Sequence, residues 1–239
     1  MGRKAIIRVK DLRAGYGEDI ILDHVSFNVY EGEVFVILGG SGCGKSTLLK
    51  TIIGLIEPSA GKIVIDGYEV SADDETTLQK IFRRVGVLYQ GAALFGSMTV
   101  AENVALPIRE YTSLPKESVD VLVKMKLGLV NLEGYENYLP SELSGGMKKR
   151  AGLARAMALN PKILFFDEPS AGLDPVTSAE LDDLILYLNE RIIMLDKRAK
   201  GIIAEGNPKY LRDHSQNQFV KQFFNRQAEE KGAGGKDSQ

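Results

Sequence analysis

The spacing of apolar residues along the chain predicts strands in the first third and at two later points. Residues 25–29 alternate between apolar and polar, which is typical of a half-buried strand. Unbroken apolar runs at 34–38, 85–89 and 163–166 instead predict strands buried on both faces of a parallel sheet. Residues 63–65 and the Asp-Gly pair that follows them predict a hairpin. The pattern therefore favours a mixed α/β fold.

Helical spacing separates these strands. It covers the segments 48–53, closed by Gly54; 73–84; 101–106; 115–127, closed by Gly128; 146–159; and 176–189. The three segments between 91 and 159 predict a helical insert in the α/β core. We expect one domain over residues 5–227 and a disordered polar tail over 228–239.

Composition and charge narrow the class of protein. The 239 residues are 44% apolar and 26% charged, with a net charge of −2, which is ordinary for a soluble domain and predicts no nucleic-acid partner. The single cysteine, Cys43, excludes an intrachain disulfide and fits a reducing compartment. No apolar run approaches the length of a membrane span, so we expect any membrane role to depend on a partner.

A glycine-rich loop between the strand at 34–38 and the next helix predicts a nucleoside triphosphate site. Its residues are Gly39, Gly40, Ser41, Gly42, Cys43, Gly44, Lys45, Ser46 and Thr47, which fit the pattern G-x-x-x-x-G-K-[ST]. The glycines let backbone N–H groups face a phosphate chain, and the helix directs its positive end at the same anion. Lys45 would add a charge near the β- and γ-phosphates, and Ser46 could offer its hydroxyl to Mg²⁺.

Two further stretches place polar side chains at the ends of buried strands. Asp167 and Glu168 follow the strand at 163–166, and Gln90 follows the strand at 85–89. Asp167 would position Mg²⁺ directly or through water, while Glu168 would activate or hold the attacking water. Tyr16 could stack on a nucleotide base, or it could pack on a neighbouring strand.

The stretch Leu-Ser-Gly-Gly-Met at 143–147 opens the helix 146–159. Ser144 is a good N-cap residue, which by itself explains its place. Ser144, Gly145 and Gly146 could also form a second anion site at the helix N-terminus. Two phosphate sites in one chain would not serve the same nucleotide.

Together, the phosphate loop, Gln90, the stretch 143–147, the acidic pair and the Ala-Gly-Leu-Asp at 171–174 resemble the nucleotide-binding subunit of an ABC transporter. The resemblance covers about residues 5–220. It implies a P-loop NTPase core with an N-terminal antiparallel β subdomain and a helical insert. It also implies a head-to-tail homodimer that holds ATP between one phosphate loop and the other subunit's Ser144, Gly145 and Gly146.

The resemblance also implies roles and partners. Tyr16 would stack on adenine, Lys45 and Glu168 would act in ATP hydrolysis, and Gln90 would link the metal to a transmembrane permease subunit. Methionine at position 147 replaces the family's usual glutamine, a variant that looks like the ATPases of the Mla/MCE group, which are associated with phospholipid trafficking and organic-solvent tolerance. Periplasmic MCE-type subunits and a place on the cytoplasmic face of the inner membrane would follow.

One departure from the family pattern lies after residue 189. The family has a strand ending in a histidine, and then a helix, where this chain runs directly into 191–195; its histidines are His24 and His214. Without that strand, the sheet would have a gap beside the acidic strand. We therefore expect a segment between Asn189 and Arg191 that this sequence does not contain, which Cα spacings other than about 3.8 Å would reveal.

Three functions remain open at this point. The first is an ATP-hydrolysing transporter subunit, with apolar residues near Leu94, Phe95, Met98 and Val100 as the docking surface. The second is a non-transport ABC ATPase of division, repair or translation. The third, suggested by the missing histidine, is an ATP-binding scaffold with impaired hydrolysis.

Overall fold

The computed structural model describes residues 3–168 and 191–224. The strands in these ranges are β1 Ala5–Tyr16, β2 Asp19–Tyr30, β3 Phe35–Gly39, β4 Ala60–Ile65, β5 Tyr68–Glu69, β6 Val85–Leu88, β7 Ile163–Phe166, β8 Arg191–Asp196 and β9 Gly201–Gly206. The helices are α1 Lys45–Ile52, α2 Glu75–Phe82, α3 Val100–Tyr111, α4 Lys116–Leu129, α5 Gly145–Ala156, α6 Pro208–His214 and α7 Gln218–Phe224. No helix in the described ranges is long and apolar enough to cross a membrane.

The N-terminal part is a four-stranded antiparallel sheet in the order β2-β1-β4-β5. Ile7 and Val9 of β1 are buried two residues apart, and after a register shift between Val9 and Leu12 the same spacing continues with Leu12 and Ala14. Strand β1 continues to Tyr16, and the chain turns at Gly17 before β2 begins at Asp19. The apolar face of Leu12 and Ala14 keeps this end of the strand in the sheet.

Two further sheets contain the strands that lead to the predicted site. One has the order β3-β8-β9, with β3 and β8 parallel, and the other pairs β6 with β7 in parallel. Phe35 and Ile37 of β3 and Ile163 and Phe165 of β7 pack against the same hydrophobic core. The two sheets therefore lie side by side over one core.

Within the described residues, neither β3 nor β7 is hydrogen-bonded to a strand on its second edge. All five residues of β3 are only half-buried, and Leu164 and Phe166 of β7 are 37% and 47% exposed. The prediction that both strands are buried on both faces was therefore wrong. An apolar run becomes buried on both faces only where neighbouring elements cover it, and the pattern alone does not supply them.

The step from Asn189 to Arg191, where the sequence departs from the family pattern, lies outside the described residues. The predicted helix at 176–189 and the predicted tail at 228–239 also lie outside them. Within the described ranges, β7, which leads to Asp167 and Glu168, has one edge with no paired strand. The expected extra segment therefore stays a prediction.

The helices α3, α4 and α5 enclose a second hydrophobic core, in which Val104, Ile108 and Leu127 are completely or almost completely buried. Helix α3 runs past the predicted end at 106, through Pro107 to Tyr111, because Ile108 packs into this core. Helix α4 ends one residue beyond Gly128, and the left-handed residue after it is Asn131, so Gly128 does not terminate it. This part of the chain is the helical insert.

Candidate functional site

The phosphate loop connects the end of β3 to the start of α1. Gly42 and Gly44 have left-handed φ values of 72° and 102°, which glycine adopts at no steric cost. A Cβ on Gly39 would lie 2.5 Å from the carbonyl oxygen of Leu195, so the loop can start beside β8 only with glycine there. No side chain caps the N-terminus of α1, whose N–H groups face the loop. The predicted loop residues thus form the cradle that an anion requires.

The Lys45 side chain folds back over this loop. Its Nζ atom donates hydrogen bonds to the carbonyl oxygens of Gly39, at 2.9 Å, and Gly40, at 3.1 Å. Cys43 and Thr47 are buried at 2% and 6% exposure and pack the loop onto the core, while Ser41 is exposed. The ammonium group is therefore held at the loop, where it can meet an anion without a large movement.

The acidic pair meets the phosphate loop across 121 residues of sequence. The Ser46 hydroxyl donates a hydrogen bond to Oδ1 of Asp167 at 3.1 Å. The Asp167 backbone N–H is bonded to the carbonyl oxygen of Leu88, which fixes it at the end of β7. Hydroxyl and carboxylate oxygens are the ligands that Mg²⁺ prefers, so the residues present fit this ion. Glu168 follows with a left-handed φ of 49° and is exposed.

Gln90 lies on an exposed turn directly after β6. The Ala92 N–H closes this turn on the carbonyl oxygen of Tyr89 at 2.8 Å, and Ala92 and Ala93 both have left-handed φ values. Among the described residues, the Gln90 side chain has no hydrogen bond to Ser46 or Asp167. Burial, together with the nearby Asp167 charge, raises the pKa of the Tyr89 hydroxyl, although Arg155 opposes this.

The predicted second anion site forms the start of α5. Ser144 is the N-cap residue, and its hydroxyl accepts a hydrogen bond from the Met147 N–H at 3.3 Å. Ser144, Gly145 and Gly146 are exposed, while Met147 packs against the core of the insert. No hydrogen bond joins Ser144 to the phosphate loop of the same chain among the described residues. This helix terminus is therefore open to a group from outside the chain.

Tyr16 ends β1 with its side chain 51% exposed. Among the described aromatic side chains, none stacks on its ring. The exposed ring offers a free face, which suits stacking on a base better than packing on a neighbouring strand.

Sequence reasoning missed two side chains that organise the site. Arg155 donates hydrogen bonds at 2.8 Å to the carbonyl oxygens of Ala92 and Ala93, which belong to the turn that follows Gln90. Asn103, completely buried, accepts from the Phe95 N–H and donates to the carbonyl oxygens of Phe95, Met98 and Thr99. A polar residue in an otherwise small or apolar helical stretch was the available signal for both.

Comparison with known proteins places these features in a family. The profile of the ABC transporter family matches residues 22–171. The probable ribonucleotide transport ATP-binding protein mkl of Mycobacterium leprae is 46% identical over 78% of this chain and 54% of its own length. The intermembrane phospholipid transport system ATP-binding protein MlaF of Escherichia coli K12 is 43% identical over 78% of this chain and 70% of its own. The chain thus spans about half the length of the mycobacterial relative.

A solved structure agrees with the fold. The dimeric post-hydrolysis state of the ATP-binding cassette MJ0796, bound to ADP and Pi, superposes with a TM-score of 0.73 at 30% identity, covering 84% of this chain and 98% of that chain. The predicted α/β fold with an antiparallel β subdomain and a helical insert is confirmed. On the match of its residues 22–171, this chain belongs to the ABC transporter family.

Proposed function

We propose that the protein is the ATP-binding and ATP-hydrolysing subunit of a membrane transporter that moves phospholipid between bacterial membranes. The observation that supports this most directly is the hydrogen bond between Ser46 and Asp167, because it joins the phosphate loop and the acidic strand in one site. The names of the MlaF relatives support the lipid substrate. The name of the mycobacterial relatives, which speaks of ribonucleotide transport, leaves a second substrate class to test.

The roles of the residues follow from their places in the site. Lys45 and the loop N–H groups would bind the phosphates, and the oxygens of Ser46, Asp167 and Gln90 would hold Mg²⁺. When bound, Mg²⁺ neutralises charge on the phosphate oxygens. Glu168, directly after Asp167, takes the proton of the attacking water or holds that water in line. Tyr16 binds the adenine ring.

A second copy of the chain completes the site in this proposal. The exposed N-terminus of α5, with Ser144, Gly145 and Gly146, binds the phosphates held by the partner's loop. The dimeric structures of the related cassette MJ0796 support a dimer. The arrangement explains why each chain contains two anion sites.

A groove beside the Gln90 turn is the proposed dock for the membrane subunit. It has a volume of about 410 Å³ and is lined by apolar and aromatic side chains that include Phe82, Tyr89, Phe95, Leu106 and Tyr111. Phe95 is 51% exposed, whereas Val100 is completely buried in the core of the insert. The predicted docking surface was therefore wrong at Val100, which is on the inward face of α3.

The other proposed partners are membrane and periplasmic subunits of the transporter. Transmembrane permease subunits would occupy the groove, and periplasmic MCE-type subunits would bind the permease rather than this chain. The protein itself would lie at the cytoplasmic face of the inner membrane, with no nucleic acid bound.

A specific observation favours a second candidate, an ATP-binding scaffold with impaired hydrolysis. The described histidines, His24 and His214, are both exposed, and β7 has an unpaired edge in the described ranges. A displaced acidic strand would leave ATP bound but Glu168 badly placed for hydrolysis.

Binding and assembly are tested separately. Lys45→Ala should weaken Mg-ATP binding strongly in calorimetry, because it removes the side-chain charge that faces the phosphates. Glu168→Gln should accumulate as an ATP-bound dimer in size-exclusion chromatography, and adding Ser144→Arg should return it to a monomer that still binds ATP. Unchanged ATP affinity in Lys45→Ala would contradict the loop assignment, and a monomer at saturating ATP would contradict the shared site.

The transport role is tested by purifying the tagged protein from native membranes. We expect integral membrane proteins and bound phospholipid in the complex. Nucleic acid without membrane proteins would instead indicate a non-transport ABC ATPase of division, repair or translation.

A further inference from the structure

We propose that Arg155 is a positioning residue that ties the Gln90 turn to α5, so that the metal-binding turn and the partner-facing helix move as one body. This inference rests on the proposed function, because Gln90 acts on Mg-ATP only if the chain binds it. Arg155 lies in the last turn of α5, and Ser144 caps the first.

The contact between Arg155 and the turn is bidentate. The two terminal guanidinium nitrogens donate to successive carbonyl oxygens, those of Ala93 and Ala92, each at 2.8 Å. The planar fork of arginine can hold two acceptors at once, which the single ammonium of lysine cannot do with the same geometry. The contact therefore fixes the orientation of the turn as well as its distance from α5.

The turn needs to be held because its backbone is strained. Ala92 and Ala93 have φ values of 60° and 49°, a left-handed conformation that is sterically unfavourable for alanine. Such conformations persist where the surroundings over-determine them. Without Arg155, the turn would relax toward right-handed φ values, and Gln90 would leave its place beside β7.

The packing of α5 against the turn is close enough to transmit movement. A Cβ on Gly152 would lie 3.0 Å from the Cβ of Ala92 and 2.9 Å from Leu88, and one on Gly86 would lie 2.1 Å from the carbonyl oxygen of Ala156. Helix α5 thus meets the turn at Ala92 and strand β6 at Leu88 and at the backbone of Gly86, with glycine allowing the close approach. Arg155 itself is half-buried, and this burial lowers the pKa of its guanidinium.

The chain offers a matched control on the same helix. Arg150 donates to the carbonyl oxygens of Val130 and Asn131, at 3.2 and 3.0 Å. Like Arg155, it donates to two successive carbonyl oxygens, although both bonds come from its Nη1 atom, and the contact lies within the helical insert and away from Gln90. Its loss should affect stability and leave the Gln90 turn in place.

The first test needs no turnover. Hydrogen exchange in the full-length protein should show faster exchange at 89–94 in Arg155→Ala, and no change there in Arg150→Ala. Adding Ala93→Gly to Arg155→Ala should leave that exchange fast, because glycine relieves the strain without restoring the contact. Equal exchange at 89–94 in both arginine variants would overturn the proposal.

The second test separates positioning from folding. In Arg155→Ala, we expect kcat for ATP hydrolysis to fall about tenfold to a hundredfold with ATP affinity unchanged, as for a misplaced group. Adding Ala93→Gly to Arg155→Ala should restore part of the lost kcat, because glycine adopts the left-handed φ freely. The kcat of Arg155→Lys should lie between those of Arg155→Ala and the unaltered protein. Loss of kcat to the same extent in Arg150→Ala, with no rescue by Ala93→Gly, would contradict the positioning role.

The proposed function fails in a different way. If Lys45→Ala left ATP binding unchanged, the site itself would be wrong whatever Arg155 does. If Lys45→Ala lost binding while Arg155→Ala kept full kcat, only the positioning role would be wrong.

Discussion

Strands β3 and β7 are richer in apolar residues than the helical insert, yet they are less completely covered. In the insert, Val104, Ile108 and Leu127 are completely or almost completely buried, and the loop before α3 is held by the Asn103 side chain, whose amide oxygen accepts from Phe95 and whose two N–H protons are shared among three carbonyl oxygens. In β3, by contrast, every residue is half-exposed, and in β7 Phe166 is 47% exposed.

The difference shows what each region needs from the rest of the chain. The insert is built from consecutive segments between 100 and 156, so each helix finds its neighbours locally. The sheets depend on distant parts of the sequence, because Phe35 of β3 pairs with Arg191 of β8, and Ser46 at the start of α1 meets Asp167 across 121 residues. The sheets therefore depend on distant segments of the chain in a way that the helical insert does not.

Hydrogen exchange should show the largest contrast between the two regions. In an edge strand, about half of the N–H groups point away from the single neighbour, so we expect those amides of β3 and β7 that no described strand pairs to exchange far faster than those inside α3 to α5. Mass spectrometry or NMR would measure this. Uniform protection along β3 and β7 would mean that their second edges are covered, and the contrast would disappear.

Matched leucine substitutions should show a smaller but clear contrast in stability. Leu127→Ala should lower the free energy of unfolding by about 2–5 kcal/mol, because Leu127 is completely buried in the insert. Leu164→Ala should cost about 1 kcal/mol or less, because this side chain is 37% exposed. Urea denaturation followed by circular dichroism checks both; equal costs would show that β7 is covered as well as the insert.

Asn103 is expected to matter through its buried hydrogen bonds. Asn103→Ala leaves the Phe95 N–H and three carbonyl oxygens without this partner, and should cost about 1–3 kcal/mol. It should also loosen the loop that presents Phe95 to the groove. Asn137, which is exposed, is the control, and Asn137→Ala should change stability by less than about 0.5 kcal/mol. A loss of unfolding free energy in Asn103→Ala no larger than that in Asn137→Ala would show that these hydrogen bonds do not stabilise the loop.

The cap of α3 should show the smallest effect. Thr99 and Glu102 form a reciprocal capping box, with bonds of 3.2 and 2.7 Å. Thr99→Ala should cost about 1 kcal/mol in the free energy of unfolding. Ser97→Ala, two residues earlier in the exposed turn, is the control and should cost almost nothing.

The sequence predicted the meeting of Ser46 and Asp167 because the carboxyl ends of parallel strands lie at the same edge of a sheet. It also predicted the helical insert, whose apolar spacing is regular and local. It did not predict the role of Arg155, because that role depends on the left-handed φ values of Ala92 and Ala93, which alanine rarely adopts and no sequence pattern signals.

The exposure of β3 and β7 was missed for a different reason. An apolar run such as 34–38 shows that a strand suits a buried place, and only its neighbours decide whether that place exists. Val34 illustrates the limit, since it belongs to the run but precedes β3 and is 54% exposed.

Single-turnover ATP hydrolysis by the intact protein with its membrane complex tests the central claim most directly. If Glu168 is in place for hydrolysis although β7 has an unpaired edge in the described ranges, the unaltered protein should hydrolyse bound ATP at least about 10²-fold faster than Glu168→Gln. The substitution keeps the shape of the side chain and removes the proton acceptor. ATP binding by calorimetry should be the same for both. Equal rates in the two proteins, with ATP bound to each, would contradict the proposed ATPase and leave an ATP-binding scaffold.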